Sequence, residues 1–399
     1  MLKHILIWLL LGLLISCEED HLDRSFSGEI PQFDVDAAWP QPLQNNWMLG
    51  QVAGIFVDNR DHVWIAQRPS SLTLHEAAAA QDPPVSRCCV PAPSIIEFAP
   101  DGSVVQAWDS ADGFEWADTA IGFRGGSYPH GIYVDHLDHV WVGGGIHQHH
   151  VLKFTRDGEL LLKIGEMNRT GGSNNTELLG GPADMVVDPE TNEIFIADGY
   201  INRRVIVFDA ETGEYRRHWG AYGEEPHDES LGFDNTGADR TDPARQFRGA
   251  VHGIIISNDE QVYVTDRENN RIQVFLKDGT FVEEVFVRPE TRSTGSTWDM
   301  SPTDDGYEQA LADLVPGSTW DVALSEDPDQ QWLYVADGTN NVVWIMERST
   351  LEVKGHFGQG GKNAGHFGWL HNLAVDSRGN IYTSEVAQDK RVQKFTRTR

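Results

Sequence analysis

The chain has 399 residues, 40% of them hydrophobic, including 13 Trp and 17 Phe. That supplies ample material for a packed interior. A net charge of −30 offers no basic face to a phosphate backbone, which argues against nucleic acid as a partner.

The first segment reads as an address rather than as part of the fold. Lys3 and His4 precede an apolar run from Ile5 to Ile15, too short for a comfortable membrane span. The run ends Leu14-Ile15-Ser16-Cys17, which resembles the lipobox of bacterial lipoproteins. That resemblance implies a signal peptide over residues 1–17, cleaved before Cys17, with Cys17 itself lipidated. More than one acyl chain on one residue is what stable anchoring requires. The expected location is the bacterial cell envelope, extracytoplasmic and membrane-anchored, with a polar tether over residues 18–30.

After the tether, six stretches share one pattern: an apolar run, an acidic turn, and a second apolar run. They are VAGIFVDNRDHVWIAQR (from Val52), PHGIYVDHLDHVWVGG (from Pro129) and PADMVVDPETNEIFIADG (from Pro182). VHGIIISNDEQVYVTDR (from Val251), TWDVALSEDPDQQWLYVADG (from Thr319) and LHNLAVDSRGNIYTSE (from Leu370) follow. The runs are short and rich in β-branched and aromatic residues, so they read as strands. A further strand follows turns such as Asp157-Gly158 and Thr212-Gly213. Six units of four strands predict an all-β, six-bladed β-propeller over residues 31–399. The last unit reaches VQKF shortly before Arg399 without a fourth strand. The segment Gln32 to Trp39 is expected to supply it, removing two sheet edges.

Long polar stretches separate the units: Pro69 to Pro93, Gly165 to Gly181, Ala221 to Gly249, and Arg288 to Ser318. They are expected to crown one face and wall a pocket, with a short helix over Leu74 to Ala80. Cys88 and Cys89 are adjacent in an oxidising compartment, so a vicinal disulfide is expected; two free thiols under a loop are the alternative. His147, His149 and His150 stand where other units carry Asn-x-Arg, and they read as scaffold.

Aligned, the residue opening each unit is Ala53, His130, Ala183, His252, Trp320 and His371. Histidine is 16 of 399 residues, so filling an alternating triple by chance has odds of about 1 in 10,000. In a closed ring, every second blade then sends an imidazole toward the axis. Three neutral imidazoles suit Zn²⁺ first, and three protein ligands leave the open position of a catalytic site.

The segments DGYINRRVIVF and TDRENNRIQVF look like NHL-type repeats. Together with the spaced histidines, residues 50–397 resemble the lyase domain of peptide-amidating enzymes, peptidyl-α-hydroxyglycine α-amidating lyase. The resemblance implies a zinc-dependent carbon–nitrogen lyase splitting an N-acyl hemiaminal, peptidyl-α-hydroxyglycine, into amide and glyoxylate. It assigns zinc to His130, His252 and His371, the base to Tyr200, and contacts with the substrate's carboxylate and oxygen to Arg267 and Arg68. It also implies a calcium site, at positions matching Asn372, Ile55 and Ile132. An amide in place of the family's aspartate loses a charge there. Arg204, Arg271 and Arg391 recur at one fixed place and read as structural. The expected partners are a small-molecule or peptide-derived substrate and, through the lipid, a membrane; protein partners stay open. Two other readings stay open. One is a non-catalytic binding or scaffold propeller with a structural metal on its axis. The other is a calcium-dependent lactonase-like propeller using Asp184 and Asp321.

Overall fold

A computed structural model describes residues 29–109, 129–229, 231, 243–291, 317–387 and 389–399. Six four-stranded antiparallel sheets follow one another in chain order; the last borrows a strand from before the first, and blade 1 is interrupted by Val90–Pro91, which pairs in parallel with Trp47–Met48. Blade 1 is Gln51–Val57, Val63–Arg68, Ile95–Phe98 and Val104–Trp108. Blade 2 is Ile132–Val134, Val140–Gly143, His150–Phe154 and Leu160–Gly165. Blade 3 is Pro182–Asp188, Glu193–Asp198, Arg204–Asp209 and Tyr215–Trp219. Blade 4 is Val251–Ile256, Gln261–Asp266, Arg271–Leu276 and Phe281–Phe286. Blade 5 is Asp321–Leu324, Trp332–Asp337, Val342–Glu347 and Glu352–Phe357.

Blade 6 has three strands from the end of the chain, Leu370–Val375, Ile381–Glu385 and Val392–Arg397. Phe33–Asp36 completes it, pairing antiparallel with the last strand from Phe33↔Arg397 to Asp36↔Lys394. The expected closure is what the chain does. Ring closure also shows in the packing: each of six apolar clusters is shared by two neighbouring blades. Val186 and Phe195 meet Ile254 and Phe275 between blades 3 and 4, while Ala374 and Tyr382 meet Ile55 and Ile65 between blades 6 and 1. A single blade cannot bury both of its faces, so each depends on its neighbours. Several polar groups in these interfaces are matched as well. Asp58 accepts from the Trp64 indole at 3.0 Å, Asp135 from Trp141 at 2.9 Å, and Asp376 from the Tyr382 hydroxyl at 3.1 Å.

Register slips occur at two recurrent places. In blades 1 to 5 the outermost pair is bulged near one end, as between Glu97 and Phe98 or Val274 and Phe275. Such bulges twist an exposed edge away from further pairing. The second place is the opening of the innermost strand. Slips fall between Val52 and Gly54, Pro182 and Asp184, Val251 and Ile254, and Leu370 and Asn372.

Connections within a blade from first to second and third to fourth strand are short turns on one face. The long connections leave from and return to the other, where the second strands end. The anticipated helix at Leu74 to Ala80 shrinks to a 3₁₀ turn at Ala78–Ala80. Thr73 and Glu76 do exchange capping bonds, but one turn does not offset the cost of helix nucleation. Cys88 and Cys89 form the vicinal disulfide in that exposed loop. Gly145–Gln148 makes one helical turn, followed by the buried His149 and His150; the side chain of His147 lies outside the described residues. No helix among the described residues is long and apolar enough to cross a membrane. Cys17 and most of the tether lie outside the described residues.

Candidate metal centre

A slip at the opening of the innermost strand turns the aligned position toward the axis in blades 1, 3, 4 and 6, whereas His130 and Trp320 stand just ahead of the regularly paired first strands of blades 2 and 5. A regular strand alternates its side chains between the two blade faces. One extra residue at the strand opening re-aims the side chain inward, and that residue is Ala53, Ala183 or His371, or His252 with Gly253. The following position must then be small where backbones crowd together. A Cβ at Gly131 would stand 2.5 Å from the Ala183 carbonyl oxygen, and one at Gly253 would stand 2.6 Å from an Asp321 carboxylate oxygen.

His130, His252 and His371 meet at the axis. Their ring centroids are 5.0, 4.8 and 4.9 Å apart, close to an equilateral triangle. The ligand nitrogens lie within 4.8 Å of one another. Each histidine leans on the aligned position of the next blade. His130 Nδ1 donates to the Ala183 carbonyl at 2.8 Å, and His252 Nδ1 donates to the Trp320 carbonyl at 2.6 Å. His371 bonds the Ala53 backbone and also the Asn372 side-chain oxygen. Anchoring Nδ1–H to an oxygen fixes the tautomer and leaves Nε2 with its lone pair facing the centre.

Electrostatics keep the rings neutral. Burial holds His130 well below the usual histidine range, with His371 and Arg68 adding repulsion. Burial, then His371 and Arg267, do the same to His252. His371 is pushed down to about 3, by burial first and then Arg68. Three buried neutral imidazoles with convergent Nε2 atoms and oriented Nδ1–H groups form a donor set that fits Zn²⁺ and leaves a fourth position free.

Three other groups surround the cup. The Tyr200 hydroxyl lies 2.8 Å from His130 Nε2 and 3.2 Å from His252 Nε2. Arg267 is 6% exposed and its charge acts on all three histidines. Among the described residues its Nε has no hydrogen-bond partner, and its one ion-pair contact is Glu268 at 3.4 Å. Asp266, the acid next to it, is taken by Arg271 at 2.8 Å, so Arg267 remains for the cup. Arg68 bonds the Pro129 carbonyl at 3.3 Å and the Gln51 side chain at 3.1 Å. Arg204 pairs with Asp198 at 2.9 Å and Arg391 with Glu385 at 2.6 Å; like Arg271, they stitch loops to the scaffold.

Asn372 is bonded on both sides of its amide. Its side-chain oxygen accepts from His371, and its amide nitrogen donates to Asp321 at 3.1 Å. Ile55, Ile132 and Asn372 do line one central cavity of about 160 Å³, with Asp184 and Asp321 as its buried acids. Burial raises Asp184 well above the usual carboxylate range, helped by the charge of Asp321, and burial lifts Asp321 to about 7. A second potential ligand group, Asp58, His62 and Glu97, already holds a cation. Arg156 stands 2.7 Å from Asp58 and also pairs with Glu97.

Sequence reasoning placed Trp320 in the aligned series without giving it a task. Its signal was there: an indole where the other odd blades carry alanine. The ring is 5.6 Å from His252 and 5.4 Å from His371, centroid to centroid.

Residues 251–275 match the NHL repeat family. Over 270 residues the chain is 27% identical to peptidyl-glycine alpha-amidating monooxygenase B of Xenopus laevis, covering 67% of this chain and 26% of that protein. It is 26% identical over 263 residues to NHL repeat-containing protein 3 of Mus musculus, covering 64% of this chain and 59% of that one. The chain thus spans about a quarter of the length of the first relative. A solved streptogramin B lyase covers 92% of this chain and 98% of its own, at 10% identity and a TM-score of 0.49.

Proposed function

We propose that this NHL-type propeller, related at low identity to amidating enzymes and to NHL-repeat proteins, is a zinc-dependent carbon–nitrogen lyase. Its substrate is an N-acyl hemiaminal bearing a carboxylate, of the α-hydroxyglycine type. One observation carries the reading: three imidazole nitrogens converge within 4.8 Å, with a phenol bridging two of them. A bound zinc ion would supply Lewis acidity toward a substrate oxygen.

The remaining chemistry falls to the chain. Arg267 and Arg68 hold the carboxylate, since guanidinium groups bind it through paired N–H donors that a lysine lacks. Tyr200 takes the proton of the substrate hydroxyl. The carbon–nitrogen bond then breaks as the carbonyl forms, and the proton passes from Tyr200 to the departing amide nitrogen. The products are an amide and glyoxylate, and Tyr200 ends as it began. The indole of Trp320 and the ring of Tyr200 keep water from two sides of the cup.

Anchoring through Cys17 is part of the same proposal. Phe33 pairs with Arg397, at the end of a strand running away from the cup. The tether would therefore join the face of short turns, and the site would open away from the membrane.

The test is incubation of purified protein with N-benzoyl-α-hydroxyglycine while glyoxylate is followed, beside zinc analysis of the same sample. Glyoxylate release at one zinc per chain supports the lyase. A stoichiometric metal without turnover favours the scaffold reading, which the NHL-repeat relative keeps in view. Protein purified metal-free without chelators would sink both.

A further inference from the structure

Arg267 is the best buried cation at the cup, and among the described residues its carboxylate contact is a single long bond from Nη2 to Glu268 at 3.4 Å. Something else must hold a guanidinium whose Nε finds no acceptor. Two rings do. The guanidinium carbon lies 4.4 Å from the centroid of Trp320 and 5.5 Å from that of Tyr200. Aromatic faces attract a cation without cancelling its charge or occupying its N–H donors.

The fold makes room for this arrangement. Trp320 is 3% exposed, and its indole N–H is tied to the Gly317 carbonyl at 3.0 Å, so the ring cannot swing. At the position where blade 4 carries Arg267, blade 5 carries Gly338, whose Cβ would press within 2.9 Å of the Trp320 ring. Across the ring stands Trp369, with centroids 5.9 Å apart and nearly perpendicular planes. Trp369 holds φ 138, a conformation costly for any residue but glycine and typical of functional loops.

We infer that Trp320 is a positioning residue for carboxylate recognition. Its face fixes the Arg267 guanidinium beside the cup while leaving its charge free for a substrate carboxylate. This rests on the proposed role of Arg267, and the two can fail separately.

The experiment measures binding of N-benzoylglycine, which has the carboxylate but no hydroxyl to react, and of its neutral amide. Wild-type protein should prefer the acid. In Trp320→Met that preference should fall about tenfold, the scale of a partly desolvated cation–π contact, while affinity for the amide holds. Trp320→Phe keeps a flat face and should retain the preference within about twofold. An undiminished preference in Trp320→Met overturns the inference. So does a Trp320→Phe variant that loses the preference as fully as the methionine variant, or an equal loss of acid and amide binding. If Arg267→Ala itself keeps the preference, the carboxylate reading of Arg267 fails first, and this inference with it.

Discussion

The even and odd blades are copies of one repeat with divided duties. Blades 2, 4 and 6 send imidazoles to the axis; blades 1, 3 and 5 fill the gaps between them. Ala53 and Arg68 belong to blade 1, Ala183 and Tyr200 to blade 3, and Trp320 to blade 5. The odd blades also supply what orients the even ones, because their backbone at the aligned position accepts from His130, His252 and His371. The difference teaches that the ligand set and its orienting shell alternate around one ring. Neither can be moved without the other.

The largest effect should come from breaking an even blade. His252→Ala should abolish zinc binding and turnover while the six sheets persist, as judged by metal analysis and circular dichroism. Retention of one tightly held zinc would show that the cup is not the metal site. On an odd blade, Tyr200→Phe keeps the ring but removes the oxygen 2.8 Å from His130. Turnover should fall by about 10² to 10⁴, the range for a general base, with zinc content and binding of the unreactive acid unchanged. A drop in KM alone would deny it the proton-transfer role.

Two arginines four positions apart sharpen the contrast between site and scaffold. Arg271 is fully buried against Asp266 at 2.8 Å; removing one partner of such a pair costs about 3–5 kcal/mol. Arg271→Ala should therefore lower the denaturation midpoint strongly. Arg267→Ala loses only the longer contact with Glu268 at 3.4 Å, so it should lower that midpoint clearly less while raising KM for carboxylate substrates. Equal effects on stability would erase the distinction.

The smallest effect concerns acidity. Burial depresses the three histidines in the folded state, so the unfolded chain binds protons that the folded chain refuses. The metal-free protein should keep its stability above about pH 6.5, the ordinary histidine value, and lose it as pH falls below that toward the folded values. Denaturant midpoints of chelator-treated protein between pH 7 and pH 5 check this. His252→Ala, with one fewer such group, should show a shallower slope.

Much of this was legible beforehand. Runs such as MVVD and IFIAD announce strands by their side chains alone, and their sixfold recurrence announces a ring. The closing strand was readable because blade 6 lacks a partner that Phe33–Asp36 resembles. The helix at Leu74 to Ala80 was not, because a capping pair and alanines promise a helix that so short a segment cannot sustain. Nor could the fate of Asn372 be read. Alignment marks the position, but its bonds to His371 and to Asp321 of the neighbouring blade come only from the fold.

Sequence by itself determined the blade count, the alternation of the three histidines, and which arginines repeat as scaffold, since these follow from local pattern and spacing. Tertiary structure alone decided where those histidines point. For His252 and His371, one extra residue at the start of the innermost strand reverses the direction of the side chain, and that slip depends on pairing with a neighbouring strand. It also decided which of two nearby arginines would pair with Asp266: the loop brings Arg271 within 2.8 Å of it, while Arg267 packs against Trp320 and Tyr200 beside the cup.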